Sequence, residues 1–317
     1  MRMPARPSQQ ARRARRSVPG RVACLVIAGG IMAGWVVTAQ PAQASAAGQA
    51  AAGQAAAGGT AGPGGPAGVH AKGAALANAA TGAPLWSRGL DTRRPMGSVT
   101  KVMTALVIIR AGGLGRKLTV SPAAISYTRR YDGSSAGLHA GDRLTVQQLL
   151  EAMLLPSGCD AAYVLASAYG PGPTSFVAKM NALARRLGLG HTHFASFDGL
   201  PVPTEYSTYS TPGDLLVIGR AAMGSAVFRS VVAQRSYRLP AGGGHHAYDW
   251  ENTNLLLGSY AGAIGIKTGN TDAAGYCLLF EARRGARTLI GVVLDSSATV
   301  RAVSFGDATQ MLNWGFR

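Results

Sequence analysis

Hydrophobic and polar residues change their pattern twice along the chain. The middle, from about Ser121 to Met223, carries the signals of successive helices. From about Val231 onward, apolar runs separated by turn residues are typical of strands, at residues 262–269, 276–283 and 287–294. Residues 74–87 predict a hairpin that turns at Thr81-Gly82. The pattern predicts an α+β fold in which strands from both ends of the chain form one sheet.

Helix boundaries are marked by side chains that cap the backbone. Thr145 with Gln148 has the spacing of a capping box, and Thr211 followed by Pro212 opens another helix. Further helices are expected from Ser98 to a Gly-Gly pair, from residue 174 to 187, and just before residues 313–317. The helical lobe therefore spans about residues 119–225. A cleft between this lobe and the sheet is the natural place for a functional site.

The N-terminal region has the layout of a secretory signal peptide. Residues 1–44 contain seven arginines and no acidic residue, an apolar run at residues 22–37, and the small-residue sequence 42-AQA-44. The run is shorter than the roughly 20 residues of a membrane span, although a retained N-terminal anchor is the alternative. Residues 45–68, rich in Ala and Gly, predict a flexible linker, and residues 69–317 predict the folded domain. We therefore expect an extracytoplasmic protein, secreted or associated with the cell wall.

Charge alone suggests a partner that the rest of the sequence does not support. The chain has 31 Lys and Arg against 14 Asp and Glu, a net charge of +17. Removing the seven arginines of the signal peptide leaves +17 − 7 = +10. No basic stripe interleaved with aromatic residues follows, so nucleic-acid binding is not predicted. A basic surface suits an anionic cell envelope equally well.

Ser98 and Lys101 are the first candidates for chemistry. They lie three residues apart on one face of a helix whose other residues are mainly apolar. Burial disfavours the charged form of a lysine, and a neutral lysine can take the proton of a serine hydroxyl. Alone, the pair is more typical of a helix-start serine and a lysine whose amine reaches solvent.

Two further motifs make the catalytic interpretation more specific. The chain contains, in order, 98-SVTK-101, 157-SGCD-160 and 267-KTGN-270. Ser-x-x-Lys, a Ser-x-Asn-like element and Lys-Thr-Gly form the signature of penicillin-binding proteins and class A β-lactamases. From about residue 74 to 317 the sequence resembles the low-molecular-mass penicillin-binding proteins, the serine D-Ala-D-Ala carboxypeptidase and transpeptidase family. The phrases 149-LLEAMLLPSGCDAA-162 and 264-IGIKTGNTDAAGYCL-278 carry much of the resemblance.

The resemblance implies a β-lactamase/transpeptidase-like fold and a role for each motif residue. The fold has a five-stranded antiparallel sheet with flanking helices and an all-helical lobe. Ser98 would form the acyl-enzyme, Lys101 would be the general base, and Ser157 would relay protons to the leaving group. Substrate would be bound by the third motif and by one residue of the second, namely Lys267, Thr268, Gly269, Asn270 and Cys159.

The implied roles extend to the charge state and to the partners. Lys267 would keep Lys101 neutral and orient Ser157, and the backbone N–H groups of Ser98 and Asn270 would form the oxyanion hole. The implied substrates are the D-Ala-D-Ala ends of peptidoglycan stem peptides, and β-lactam antibiotics would bind covalently. No cofactor and no metal is predicted.

Two departures from the family pattern affect this interpretation. Cys159 stands where the family usually has Asn, and a thiol offers little of the donor and acceptor capacity of an amide. Some actinomycete DD-transpeptidases are similar in carrying Cys there, which moves the prediction slightly from carboxypeptidase toward transpeptidase. Many members continue into a β-rich domain and a membrane-binding helix, whereas this sequence ends at Arg317. Membrane attachment is therefore expected only through an uncleaved N-terminal segment.

Rival interpretations have weaker support. A class A β-lactamase would need a glutamate in a Glu-x-x-Leu-Asn context, and none of the four glutamates lies in one. A wall-binding module with a decayed site is a second alternative, and the intact motifs argue against it. Residues 133–137 match Gly-x-Ser-x-Gly but lack the preceding strand of a nucleophile elbow, so a loop at the cleft rim is expected. The pairs His191/His193 and His245/His246 have no third metal ligand nearby in sequence. Two cysteines are too few for a disulfide framework, and each is expected to be buried.

Overall fold

Five antiparallel strands form the central sheet of the computed structural model, which describes residues 64–317. The predicted signal peptide and the first part of the predicted linker lie outside the described residues. The strand order is β2-β1-β11-β10-β9. The bounds are β1 (Gly73–Asn78), β2 (Pro84–Arg88), β9 (Ala263–Gly269), β10 (Cys277–Arg284) and β11 (Arg287–Leu294). The first two strands pair with the last three, which confirms the prediction of one sheet built from both ends of the folded region.

Both faces of the sheet are buried, and the alternation of side chains decides which core each residue joins. Leu278 and Phe280 of β10 contribute to the core on the face covered by the C-terminal helix, with Met311. Leu279, between them, contributes to the larger core on the opposite face, with Ile290. Successive side chains of a strand point to opposite faces, so a strand covered on both sides consists of consecutive apolar residues. This explains the short continuous apolar runs of the sequence.

Helices cover the sheet and form the lobe beside it. The helices are α1 (Lys101–Ala111), α2 (Pro122–Arg130), α3 (Val146–Leu154), α4 (Cys159–Tyr169), α5 (Pro173–Arg186), α6 (Pro212–Met223), α7 (Ala226–Val232), α8 (Leu256–Ser259) and α9 (Ala302–Gly315). The predicted capping box is confirmed, because the Thr145 hydroxyl accepts from the Gln148 N–H while the Gln148 side chain accepts from the Thr145 N–H. The Thr211 hydroxyl likewise accepts from the Asp214 N–H at the start of α6.

Three short ribbons complete the described fold. They pair β3 (Arg94–Pro95) with β6 (Tyr209–Ser210), β4 (Lys117–Thr119) with β5 (Arg143–Thr145), and β7 (Ser236–Leu239) with β8 (Tyr248–Glu251). Two predicted boundaries are wrong. The strand-like region was placed from Val231, but Val231 and Val232 end α7, which Ser225 caps. The closing helix was placed before residue 313, but α9 continues to Gly315 because its apolar residues pack on the sheet.

Two further properties of the described region bear on the predictions. Cys159 and Cys277 are both buried and free, as expected. Among residues 64–317 no single helix is long and apolar enough to cross a membrane; α6 and α7 pass that test only as a pair, with a bend of 105° between them.

Glu281 gives the sheet a pH-dependent stability. Its carboxyl group is buried in β10, and burial raises its pKa from 4.5 to about 7, while Arg229 partly opposes the shift. Between these two pH values the unfolded carboxyl ionises and the folded one stays protonated. The free energy of unfolding should therefore fall as the pH rises from 4.5 to about 7.

We predict that Glu281→Gln abolishes this contribution. At pH 8 the variant should be more stable than the wild type by about 1–3 kcal/mol, and near pH 4 the two should be equal. Urea denaturation at a series of pH values measures the difference, and the exposed Glu251→Gln serves as the control that should show none. A difference between Glu281→Gln and wild type that does not depend on pH would contradict the account.

Candidate active site

Ser98 and Lys101 stand at the start of α1, a helix whose first six residues are all buried. A short 3₁₀ turn, Gly97–Thr100, leads directly into α1, so the serine lies one turn before the lysine on the same face. Lys101 has 0% of its surface exposed. Its Nζ lies 2.8 Å from Ser98 Oγ. The two predicted residues are therefore within direct proton-transfer distance.

Lys101 Nζ has two further contacts, both from the helical lobe. It lies 3.0 Å from the carbonyl oxygen of Asp198 and 3.4 Å from Cys159 Sγ. An amine nitrogen makes at most about four bonds, one of which holds the side chain. Lys101 Nζ donates to Ser98 Oγ, to the carbonyl oxygen and to the sulfur, so the Ser98 hydroxyl is its one hydroxyl neighbour among these contacts. The geometry thus allows Lys101 to act as a base toward Ser98.

Lys267 lies on strand β9, directly before the cleft-lining residues Thr268 and Gly269. It is also buried, and its pKa lies well below the ordinary value of 10.5, chiefly because of burial and next because of the positive charge of Lys101. The resemblance implied that Lys267 keeps Lys101 neutral, and this role stays a prediction. Burial and the charge of Lys101 favour the neutral form of Lys267. Two buried amines that repel each other do not readily carry a proton at the same time.

Ser157 lies in the cleft with a strained backbone and an unpartnered hydroxyl. Its φ is +70°, a left-handed conformation that non-glycine residues rarely adopt. Its Oγ is buried and has no hydrogen-bond partner among the described residues. No hydrogen bond joins Lys267 to Ser157 among the described residues, and the predicted orienting role stays a prediction. Lys267 Nζ donates to the carbonyl oxygen of Thr268 at 3.1 Å instead.

Cys159 occupies the position where the resemblance expects Asn. Burial raises the pKa of its thiol to about 12, although the nearby Lys101 charge partly opposes this. The thiol is therefore protonated at neutral pH and is a poor nucleophile. Its backbone is held in place, since the Cys159 N–H donates to the carbonyl oxygen of Ser134 at 2.7 Å.

Gly269 and Asn270 bring the end of β9 against the backbone of the serine turn. A Cβ atom on Gly269 would lie 2.8 Å from Val99 N and 3.0 Å from Ser98 N. A Cβ atom on Gly97 would lie 2.7 Å from Asn270 N. Only glycine allows two backbones to approach this closely. The predicted oxyanion-hole residues Ser98 and Asn270 are thus neighbours across the cleft floor.

Asp160 holds the loop that forms the opposite rim. Its buried carboxylate accepts from the Ser135 hydroxyl at 2.7 Å and from the N–H groups of Ala136 and Leu138. Ser135 is therefore committed to a structural bond, and helix α2 rather than a strand precedes the loop. The Gly-x-Ser-x-Gly sequence forms a rim loop, as expected. Its second residue, Ser134, lines the cleft.

The cleft has a volume of about 240 Å³ and contains one arginine that the sequence analysis missed. Its walls come from both lobes and include Ser98, Ser134, Ser157, Thr253, Thr268, Gly269, Asn270, Tyr276, Cys277, Arg301 and Ser304. Arg301 stands just before α9 and donates to the carbonyl oxygen of Thr253. Thr253 Oγ1 lies 2.7 Å from Thr268 Oγ1. Nothing in the local sequence around Arg301 marks it, because only the fold brings it beside the Lys-Thr-Gly strand.

Comparisons with known proteins agree with this arrangement. The family model described as D-alanyl-D-alanine carboxypeptidase matches residues 60–298. A D-alanyl-D-alanine carboxypeptidase of Streptomyces sp. strain K15 is 44% identical over 260 residues, which cover 78% of this chain and 88% of that protein. The D-alanyl-D-alanine carboxypeptidase DacB2 of Mycobacterium tuberculosis is 35% identical over 242 residues, covering 76% and 80% respectively.

A solved structure resembles the fold as well. The crystal structure of the Streptomyces K15 DD-transpeptidase superimposes with a TM-score of 0.73 at 43% identity, covering 78% of this chain and 97% of that chain. The fold and the paired serine and lysine define a serine peptidase of the penicillin-binding class. The chain belongs to the D-alanyl-D-alanine carboxypeptidase family.

We predict that Gly269→Ala slows acylation of Ser98. The added methyl group would displace β9 from the serine turn, and misplacement of about 1 Å commonly costs on the order of 10²-fold in rate. Stopped-flow acylation by a fluorescent penicillin measures the rate constant. The control is Gly306→Ala in α9, where a Cβ meets no atom within 4 Å and the acylation rate should not change. Equal acylation rates for Gly269→Ala and the wild type would show that this close approach is not required.

Proposed function

We propose that the chain is a serine-type D-Ala-D-Ala carboxypeptidase that acts on peptidoglycan stem peptides through an acyl-enzyme on Ser98. The observation that carries the proposal is the 2.8 Å separation of Lys101 Nζ and Ser98 Oγ at the floor of a cleft whose sheet-side wall is the Lys-Thr-Gly strand. The family acts on peptides that end in D-Ala-D-Ala and binds β-lactams. In the cell this activity would serve cell-wall synthesis and cell shape.

Acylation begins with proton transfer from Ser98 to Lys101. Lys101 Nζ accepts the hydroxyl proton while Ser98 Oγ attacks the carbonyl carbon of the penultimate D-Ala. Negative charge then develops on the carbonyl oxygen of the substrate. The backbone N–H groups of Ser98 and Asn270 would donate to that oxygen, and each such donor typically contributes about 3 kcal/mol of transition-state stabilisation.

Collapse of the tetrahedral intermediate requires a proton for the leaving amine of the terminal D-Ala. The unpartnered hydroxyl of Ser157 is suited to this transfer, because a buried hydroxyl without a bond gains one when substrate enters. Ser157 would donate its proton to the amine and recover one from Lys101. Water then hydrolyses the ester on Ser98, with Lys101 again taking a proton.

Recognition of the terminal carboxylate is assigned to the far end of the cleft. Thr268 presents its hydroxyl there, and Arg301 adds a permanently charged guanidinium beside the same strand. Arg301 is thus an additional candidate binding residue, beyond those predicted from the sequence.

Transpeptidation is the second candidate, and Cys159 is the observation that favours it. Both reactions share the acyl-enzyme on Ser98 and differ only in whether water or an amine attacks it. A protonated, buried thiol cannot offer the two-sided hydrogen bonding of the Asn side chain that is usual here. The relatives reported above carry names of both kinds, carboxypeptidase and transpeptidase.

Rapid β-lactam hydrolysis is not expected from the cleft. A class A β-lactamase activates the deacylating water with a glutamate. Among the described residues that line the cleft there is no glutamate. Penicillin would therefore remain on Ser98 as a slowly released acyl group.

Export is proposed from the sequence alone. Supporting observations are the arginine-rich start, the apolar run at residues 22–37 and the small residues before Ser45. The substrate is itself extracytoplasmic, which is consistent with a secreted or wall-associated enzyme. An uncleaved N-terminal segment would anchor the same domain at the membrane.

Release of D-Ala from a diacetyl-Lys-D-Ala-D-Ala peptide tests the function. The wild type should release D-Ala, and Ser98→Ala should release none above background. Adding glycine as an amine acceptor should divert part of the product into a new peptide if the transpeptidase candidate is right. Product analysis by liquid chromatography separates the two outcomes.

A peptide with an amide in place of the terminal carboxylate provides the matched control. The wild type should cleave it at least about tenfold more slowly, because a charge-assisted bond is typically lost. Arg301→Gln should reduce this preference. Absence of D-Ala release by the folded wild type, or equal release by Ser98→Ala, would contradict the proposed function.

A further inference from the structure

His139, Asp142 and His246 form a cluster outside the catalytic cleft. Asp142 directly precedes β5 and His139 lies in the loop before it, whereas His246 lies in the turn between β7 and β8. One possible ligand atom from each residue lies within 4.8 Å of those of the other two. The sequence showed only the adjacent pair His245/His246 with no third ligand nearby. The fold supplies two candidate ligands from a segment more than 100 positions away.

Asp142 is held in place for this role. Its carboxylate is 5% exposed and accepts from the Tyr248 hydroxyl and from the His246 backbone N–H at 3.1 Å. Burial raises the pKa of Asp142, but these hydrogen bonds outweigh burial and the pKa lies below its ordinary value. A charged, oriented carboxylate of this kind is a good oxygen ligand whose position is fixed by surrounding bonds.

The two imidazoles approach Asp142 together. The rings of His139 and His246 stack with their centroids 4.1 Å apart and an angle of 28° between their planes. His246 Nδ1 lies 2.9 Å from Asp142 Oδ1. A tetrahedral ion with bonds of about 2.0–2.2 Å holds neighbouring ligand atoms roughly 3.3 Å apart. Small side-chain movements would therefore bring the three groups to a metal-binding geometry.

We propose that His139, Asp142 and His246 bind one zinc-like divalent transition-metal ion. Two imidazole nitrogens and one carboxylate oxygen suit Zn²⁺, whereas Mg²⁺ and Ca²⁺ prefer oxygen ligands. Both histidines are exposed, which leaves room for water as a fourth ligand. The Tyr248 hydroxyl donates a hydrogen bond to the Asp142 carboxylate.

The bound ion would brace the cleft rim. The hairpin of β7 and β8, whose turn contains His246, also carries Trp250. The Trp250 Nε1 donates to the carbonyl oxygen of Ala136 in the rim loop at 2.8 Å. Two residues earlier, Ser134 lines the catalytic cleft and accepts from the Cys159 N–H. A metal bound to both His246 and Asp142 would join the β7–β8 turn to the segment just after the rim loop. The rim loop would thus be restrained by the metal and by the Trp250 hydrogen bond. Its role is structural and does not depend on acyl transfer at Ser98.

Titration of the EDTA-treated full-length protein with zinc chloride tests the site. Isothermal titration calorimetry should give one zinc ion per chain, and zinc should raise the melting temperature, because an ion that binds only the folded state stabilises it. Magnesium chloride should do neither. His139→Ala, His246→Ala and Asp142→Asn should each weaken zinc binding by at least about tenfold.

His245→Ala and His191→Ala are the matched controls, since they remove a half-buried imidazole near the cluster and an exposed one far from it. Both should bind zinc as the wild type does. The melting temperature of each variant without zinc checks that it is folded, and Asp142→Asn keeps the side-chain shape if a histidine variant unfolds. No zinc binding at a ratio of one per chain, undiminished binding by the three cluster variants, or equal loss in His245→Ala would overturn the proposal.

Discussion

Lys101 Nζ is fully buried, and its contacts come from three separate parts of the chain. Ser98 stands one turn before it, Asp198 lies in the segment between α5 and β6, and Cys159 begins α4. Burying an amine is costly unless hydrogen bonds replace its water. The helical lobe therefore has to close over α1 from both sides for the lysine to be accommodated. That closure also creates the cleft in which Ser98 is exposed to substrate.

The electrostatics of the site follow from the same burial. Lys101 on α1 and Lys267 on β9 enter one low-dielectric region, and the charge of Lys101 adds to the desolvation that lowers the pKa of Lys267. Arg301, at the solvent-facing end of the cleft, then supplies the permanent positive charge. The arrangement separates the region of the buried amines from the region of Arg301, where we propose that the substrate carboxylate binds. Cys159 lies in the first region and is kept protonated by its surroundings.

Local chemistry made much of the fold predictable. Thr145 and Gln148 mark a helix start within four residues. Burial of both faces of β9, β10 and β11 leaves continuous apolar runs that identify strands. Val231 and Val232 were misread because β-branched residues also end helices when the core requires it. The sequence identified the motif residues, but it did not predict the hydrogen bonds that they make. The free Ser157 hydroxyl, the carbonyl bond of Lys267 and the position of Arg301 each depend on residues far apart in sequence.

The central claim is that Ser98 is the residue that becomes acylated. The most direct measurement is incubation with benzylpenicillin, followed by intact-mass analysis and peptide mapping of the adduct. The account predicts one penicilloyl group per chain, attached to Ser98 and released slowly, and none on the Ser98→Ala variant. A folded protein that forms no adduct, or an adduct on Ser157, Ser135 or Cys159, would contradict it.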